Sequence, residues 1–393
     1  MGNLVSTAAS AASDTRAAAT EAVRAALSQL DGKKPAWGVL FVSPTRDLAA
    51  ALNAARDATL GATLIACTTA GEITQDGLIH DGLAVMLVAS DDTTSVAYAS
   101  GLKADPKAVA NQLVADMPNL RRSATARGQR HLTTVLLTDG LSGTAEDLVA
   151  DLHERSVGGA QIVGGAAGDE GKFKATHVGA AGQAGADAAA ALHVFSEAPW
   201  GVGVNHGLRP TTKQMRVTKA QGSVVHEIDN QPAFEVYRRH AAERGVRLTR
   251  DNAGPYLIGN ELGIHFFDKI ARARAPLSAA SDGSLQCAAE IPKGSLVSIL
   301  DGEPTSMIEA ARSAAEEAKK HLGGARAAGV LLFDCVCRGM ILRHEFNREV
   351  AAVRSVFGDV PIAGFLTYGE IARYQGRLDG WHNATAVVAA IPA

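Results

Sequence analysis

Three short segments of this 393-residue chain are variants of one another, and each closes on glycine followed by a carboxylate. Residues 65–72 read I-A-C-T-T-A-G-E, residues 162–169 read I-V-G-G-A-A-G-D, and residues 362–370 read I-A-G-F-L-T-Y-G-E, one residue longer. Each follows an apolar strand-like run (38–42, 134–137 and 329–333) and a helix-like run. Strand, helix, strand and then Gly-acid is a βαβ-sized unit, written three times. In open α/β sheets, ligands settle in the crevice beyond the carboxyl ends of such strands. Three carboxylates in comparable positions therefore mark either a binding site or the relics of duplication. The three segments are expected at equivalent strand ends.

Length and composition narrow the class. A chain this long exceeds one ordinary core and implies two or three domains. With 47% hydrophobic and 20% charged residues it is well cored and not disordered. A net charge of −3 and the lack of a basic stripe with interleaved aromatics argue against nucleic acid. No apolar run approaches the ~20 residues needed to span a bilayer, so no membrane role is expected. The opening M-G-N-L-V-S lacks the regions of a secretory signal, and four cysteines in so long a chain read as reduced and cytoplasmic.

The remaining pattern mixes periods. Residues 5–30 are Ala-rich and predict a leading helix. In the first unit Thr45 is the expected N-cap of a helix running to about Ala58. Runs 82–89 and 94–99 flank Asp91 and Asp92 and predict an antiparallel hairpin. In the second unit Thr144 reads as an N-cap with Asp147 three residues on, above a stripe of Leu148, Val149 and Leu152. Short strand-like runs fill 188–220, helices are predicted over about 232–243 and 304–321, and 248–284 is the least regular stretch. Phe346, Val350, Val353 and Phe357 mark the third-unit helix, and a strand over 385–390 ends the chain. Units and hairpins together predict an α/β fold of the α+β kind, with mixed sheets covered by helices. The organisation expected is a helical extension over 1–35 and two related halves, 36–215 and 216–393.

At these residues the chain resembles the FIST proteins, a sensory family with an N-terminal and a C-terminal FIST domain. The first half matches in C-T-T-A-G-E-I (67–73), T-D-G-L (138–141), V-G-G-A-A-G-D (163–169), W-G-V-G-V-N-H-G (200–207) and R-V-T-K-A (216–220). The second matches in V-H-E-I-D-N-Q-P-A (225–233), F-D-C-V-C-R-G (333–339), Y-G-E-I (368–371) and H-N-A-T (382–385). The resemblance implies sensing, not catalysis, with small molecules such as amino acids as ligands. No room remains for an output domain after the second half, so it implies signalling through a separate partner, such as a histidine kinase. Some stand-alone members resemble haem-containing nitric-oxide sensors, which makes haem the alternative cofactor.

Candidate site residues follow from these motifs. Arg338 offers a planar fork for a ligand carboxylate, or pairs with Glu370 or Glu345 inside the fold. Glu370, after a glycine expected to take an unusual backbone angle, binds a ligand amine or caps a helix. Glu72 and Asp169 carry the same two readings. Asn383 is a ligand contact or ties a loop by side-chain hydrogen bonds, and Tyr368 stands beside Glu370 in Y-G-E-I. Cys335 and Cys337, alternate residues at a strand end, share a face as core thiols, or serve redox or haem ligation. A haem iron would take one of His344, His206 or His382, with helix-borne His344 preferred. Enzyme signatures fail in detail. Residues 140–144 read G-L-S-G-T where a nucleophile elbow needs G-x-S-x-G. Residues 168–172, G-D-E-G-K, have Ala166 and Phe173 where a P-loop needs Gly and a hydroxyl.

Overall fold

The structure is a computed structural model that describes residues 2–156, 159–266, 269–374 and 380–393. Its strands make three six-stranded sheets with one shared order, plus a separate nine-stranded sheet. The first sheet runs Leu4–Ser10, Leu83–Ala89, Trp37–Val42, Thr63–Thr68, Val178–Ala180, Gln183–Gly185. The second runs Thr93–Ser100, Ala188–Ser196, His131–Thr138, Ala160–Ala166, Glu370–Arg373, Trp381–His382. The third runs Gly201–Asn205, Ala386–Pro392, Ala327–Cys335, Ile362–Thr367, Glu72–Thr74, Gly77–Ile79. In each sheet the third and fourth strands pair in parallel and every other pairing is antiparallel. The fold therefore repeats three times about a pseudo-three-fold arrangement.

Each Gly-acid segment is the place where the chain leaves its own sheet. After Thr63–Thr68 it crosses to the third sheet, and after Ile362–Thr367 to the second. After Ala160–Ala166 it crosses to the first, which closes the cycle. The segments sit at equivalent strand ends, as the repeated wording predicts. Backbone bonds join them: Ala70 N–H donates to the Leu366 carbonyl and Leu366 N–H to that of Gly71. Tyr368 and Ala166 repeat that exchange with Ala166 and Gly369, and Gly168 N–H donates to the Thr68 carbonyl.

Alternation along the strands explains why three sheets pack together. Trp37, Val39 and Phe41 face a core shared with Val135 and Leu137 of the second sheet and Leu331 and Phe333 of the third. The intervening Leu40 and Val42 face the helices Thr15–Leu27 and Leu48–Ala58 on the other side. A period of two with both faces covered gives strands that are apolar throughout. Phe41, Phe333 and Phe365 meet at the centre with ring centroids 5.0 to 6.4 Å apart.

Between Asn205 and Pro304 the third repeat carries an insert: an all-antiparallel sheet with helix Ala233–Glu243 packed on its own core of Val217, Tyr237, Leu262 and Ile299. The helices expected over 232–243 and 304–321 are Ala233–Glu243 and Pro304–His321.

Four local expectations are corrected. The leading helix covers only Thr15–Leu27, capped by Asp14, and Leu4–Ser10 is an edge strand paired with Leu83–Ala89. Sheet pairing there overrides the helical preference of alanine. Leu83–Ala89 and Thr93–Ser100 do not form a hairpin: they lie in the first and second sheets and end one repeat and begin the next. The first-unit helix starts at Leu48 on an Asp47 cap, not at Thr45. Thr144 stands at its expected N-cap position, but its hydroxyl donates to the Leu102 carbonyl and makes no cap bond.

Candidate functional site

A cavity of about 490 Å³ opens at the carboxyl ends of His131–Thr138 and Ala327–Cys335, the first parallel strands of the second and third repeats. Residues 139–143 and 145–147 form one wall, Cys335, Val336 and Cys337 another, and Tyr368, Trp381 and Asn383 a third. The insert supplies the roof through Ser223, Leu277 and residues 286–290. This is the crevice position expected of a parallel pair. The site thus lies between two repeats and beneath the insert.

Of the residues singled out from the sequence, Cys335, Tyr368 and Asn383 line the cavity, and Glu72, Asp169, Arg338 and Glu370 do not. Arg338 is fully buried, and its guanidinium meets protein acceptors on every side. Nε lies 3.1 Å from both Asp334 and Glu349, and Nη2 donates to Glu349 at 2.8 Å and to the Met307 carbonyl at 2.9 Å. Nη1 donates to the His206 carbonyl at 2.7 Å and to that of Ala384 at 3.4 Å. Its partners are Asp334 and Glu349 rather than Glu370 or Glu345. Burial, then the neighbouring Glu349, pushes the Asp334 carboxyl well above its usual range, against the pull of Arg338.

Glu72 and Glu370 occupy the same place in two repeats, each three residues after a threonine that donates to it. Thr69 Oγ1 lies 2.5 Å from Glu72 and Thr367 Oγ1 2.6 Å from Glu370. Glu370 also accepts from Thr385 N–H and hydroxyl at 3.0 and 2.9 Å, which fastens the crossover to the final strand. Burial lifts Glu72 to about 8 and Glu370 to about 7, the hydrogen bonds opposing it. The glycine before Glu370 is needed for space and not for an unusual angle, because a Cβ on Gly369 would lie 2.1 Å from the Trp381 ring. In the second repeat alanine replaces the threonine, and Asp169 turns to its own loop. It accepts from the N–H groups of Phe173, Lys174 and Ala175 at 2.6–3.0 Å and from the Tyr368 hydroxyl. Burial raises its pKa, but these bonds outweigh that and hold it below the usual value.

The Cys335 and Cys337 thiols both line the cavity, for a different reason than a shared strand face. Cys335 ends the strand and Cys337 sits in the first turn of helix Val336–Leu342. A hydrogen bond from Cys337, then burial, raises the Cys335 thiol well above its ordinary value, and burial lifts Cys287 across the cavity to about 12. Cys335 and Cys287 are thus protonated, weakly nucleophilic thiols.

The three histidines stand apart from the cavity. His344 is exposed on the turn Arg343–Glu345, not carried by the helix. His206 Nδ1 accepts from Leu208 N–H at 2.9 Å, and His382 Nε2 is 3.1 Å from the Ala372 carbonyl. None of the three lines the cavity.

Several cavity residues escape a reading of motifs. Phe173 stacks on Tyr368 with centroids 4.5 Å apart, forming an aromatic wall with Trp381. Arg274, fully buried, reaches from the insert to Glu146 of the second repeat at 3.1 Å and to the Trp381 carbonyl of the third at 3.4 Å. Arg272 joins Glu146 at 3.3 Å. The alternation A-R-A-R-A over 271–275 was the available signal, since period two puts both arginines on one face. Asn383, 1% exposed, ties no loop through its amide oxygen, which has no hydrogen-bond partner among the described residues. The next residue, Ala384, sits at φ +57°, a left-handed angle that costs a non-glycine residue about 1 kcal/mol.

The chain belongs to the FIST family: the FIST N domain model matches residues 36–231 and the FIST C domain model residues 233–373. FIST domains are sensory domains of signal transduction. The boundary between the two models falls inside the insert, not between repeats. An uncharacterized protein of Mycobacterium tuberculosis is 27% identical over 403 residues, covering 97% of each chain. An uncharacterized protein of Mycobacterium bovis is 28% identical over 194 residues; the match takes 47% of this chain and spans about half, 49%, of that relative. Among solved structures, a cyanuric acid hydrolase from A. caulinodans overlaps 50% of this chain and 72% of its own at 10% identity, with a TM-score of 0.27. A phosphoribosylformylglycinamidine synthase II from Thermotoga maritima overlaps 99% and 72% at 9% identity, with a TM-score of 0.24. At such TM-scores neither likeness bears on this chain's chemistry. No helix among the described residues is long and apolar enough to cross a membrane.

Proposed function

We propose that this FIST protein is a non-catalytic sensor whose small-molecule ligand occupies the cavity between the second and third repeats and the insert. The observation that carries the reading is Asn383: a buried, unpaired amide oxygen in the wall of an aromatic-lined cavity. An unsatisfied buried acceptor costs about 1–3 kcal/mol, which a bound donor recovers. The wall groups convey the event, because the ligand would bridge three bodies that the chain holds separately. Binding then tightens the insert against the two repeats and changes the surface offered to a separate signalling partner, such as a histidine kinase. The protonated Cys335 and Cys287 thiols, with Asp139 and Glu146 already engaged, give the cavity the character of a binding site and not of a nucleophilic centre.

A thermal-shift screen of amino acids and other small metabolites tests this on the full chain and on Ala288→Phe, which fills the cavity. Ligands that raise the melting temperature of the wild type and lose the effect in Ala288→Phe support the reading. Ligands that stabilise both proteins equally place binding elsewhere and sink it.

A further inference from the structure

The cavity carries a one-sided charge pattern. Its charged lining residues are Asp139, Glu146, Asp147 and Glu290, and no lysine, arginine or histidine among the described residues lines it. Asp139 is occupied by N–H groups of Leu141 and Asp187 and the Thr176 hydroxyl, and Glu146 by the two arginines. Asp147 and Glu290 remain exposed at the rim.

The two buried arginines beside the cavity are already engaged. Arg274 spends Nη2 on Glu146, Nη1 on the carbonyls of Ala273 and Trp381, and Nε on the carbonyl of Glu290. Arg338 is enclosed by Asp334, Glu349 and main-chain carbonyls. A ligand carboxylate entering this cavity would be desolvated without a cation to meet it, which is strongly unfavourable. A ligand ammonium meets the opposite environment. The acids at the rim attract it, the stacked Phe173 and Tyr368 rings and Trp381 offer π faces, and the Asn383 amide oxygen accepts an N–H.

Building on the cavity as the ligand site, we propose that it takes a small organic amine lacking a carboxylate, with Asn383 accepting the N–H and the aromatic wall covering the carbon frame. An α-amino acid differs from such an amine by one group, and that group is the one the cavity excludes. Asn383 is thereby the residue that reads the amine N–H, held in place by the left-handed Ala384 and by the Thr385 bonds to Glu370, while the acidic lining turns the carboxylate away.

Matched pairs isolate the carboxylate: phenethylamine against phenylalanine, tyramine against tyrosine and agmatine against arginine, titrated calorimetrically into the full-length chain. In at least one pair the amine should bind tenfold or more tightly than its amino acid, and Ala288→Phe should abolish that binding. Asn383→Leu should weaken the amine at least tenfold, whereas Asn383→Asp, which keeps an acceptor oxygen, should retain it. Amino acids that match or exceed their amines, blocked by Ala288→Phe, overturn the amine assignment and leave the cavity as the sensory site. Amines that bind wild type and Ala288→Phe alike overturn both. Absence of binding by every amine also overturns the amine assignment, while carboxylate-bearing or neutral ligands from the screen would still uphold the cavity.

Discussion

At the scale of single residues, buried carboxyls do most of their work on the fold. Glu370 holds a crossover strand to the last strand and titrates near neutrality, because burial lifts it from the ordinary 4.5 to about 7. Its folded pKa is thus above its unfolded one, so its contribution to stability is fully present below about 4.5 and lost as pH rises to about 7. Within that window the slope approaches about 1.4 kcal/mol per pH unit for one proton. Glu370→Gln, neutral in both states, should remove this part of the pH dependence. Urea midpoints of the two proteins should converge toward pH 4 to 5, where wild-type Glu370 is also neutral, and separate in favour of Glu370→Gln toward pH 7 to 8. Parallel curves would show that Glu370 does not titrate in this way. Glu72, lifted to about 8, continues the decline above neutrality in both proteins.

At the scale of elements, the parallel strand pairs limit what can be changed. Gly364 and Gly164 occupy matching positions opposite Leu332 and Leu136, and a Cβ at either would lie within 2 Å of the facing carbonyl oxygen: 1.8 Å and 1.9 Å. The first repeat carries Ala66 at the matching place, so local strand spacing and not the topology demands glycine. Gly364→Ala should cost about 3 kcal/mol, since the neighbour is backbone inside a packed sheet and cannot step aside. Chemical denaturation checks it; an unchanged midpoint would mean that the third sheet opens without penalty. The crossovers act at the same scale. Each repeat lends a hairpin to another sheet, so no repeat completes its own sheet.

At the scale of the whole molecule, one buried side chain fastens the insert to the three-sheet body. Arg274 touches the second repeat at Glu146 and the third at the Trp381 carbonyl while standing on an insert strand. Arg274→Ala should lower stability by about 2 kcal/mol, less than a fully buried pair because Glu146 is 35% exposed and keeps Arg272. Hydrogen exchange should quicken in the cavity roof at 286–290 while the central strands stay protected. A uniform change across the chain, or none, would remove Arg274 as the fastening. A ligand in the cavity acts between the same bodies, which links sensing to the position of the insert.

The sequence by itself determined the repeating strand-helix-strand units, the equivalence of the three Gly-acid segments, the helices Pro304–His321 and Phe346–Phe357, and the family. Each is written in local periodicity or in motif order, which act over one or two turns or strands. The tertiary structure alone decided that Leu83–Ala89 and Thr93–Ser100 part into different sheets, that the hairpins cross between repeats, and that the insert roofs the cavity. It also decided the roles of the acids. Glu72 and Glu370 turn inward to threonine partners, Asp169 caps its loop, and Arg338 finds Asp334 and Glu349. The cavity gathers residues from Asp139 to Asn383, separated by most of the chain. Cys335, Tyr368 and Asn383 were legible because motifs surround them, while Phe173, Arg274 and Trp381 acquire meaning only from partners far away in sequence. Charge and burial are properties of neighbours in space, and no spacing along the chain records them.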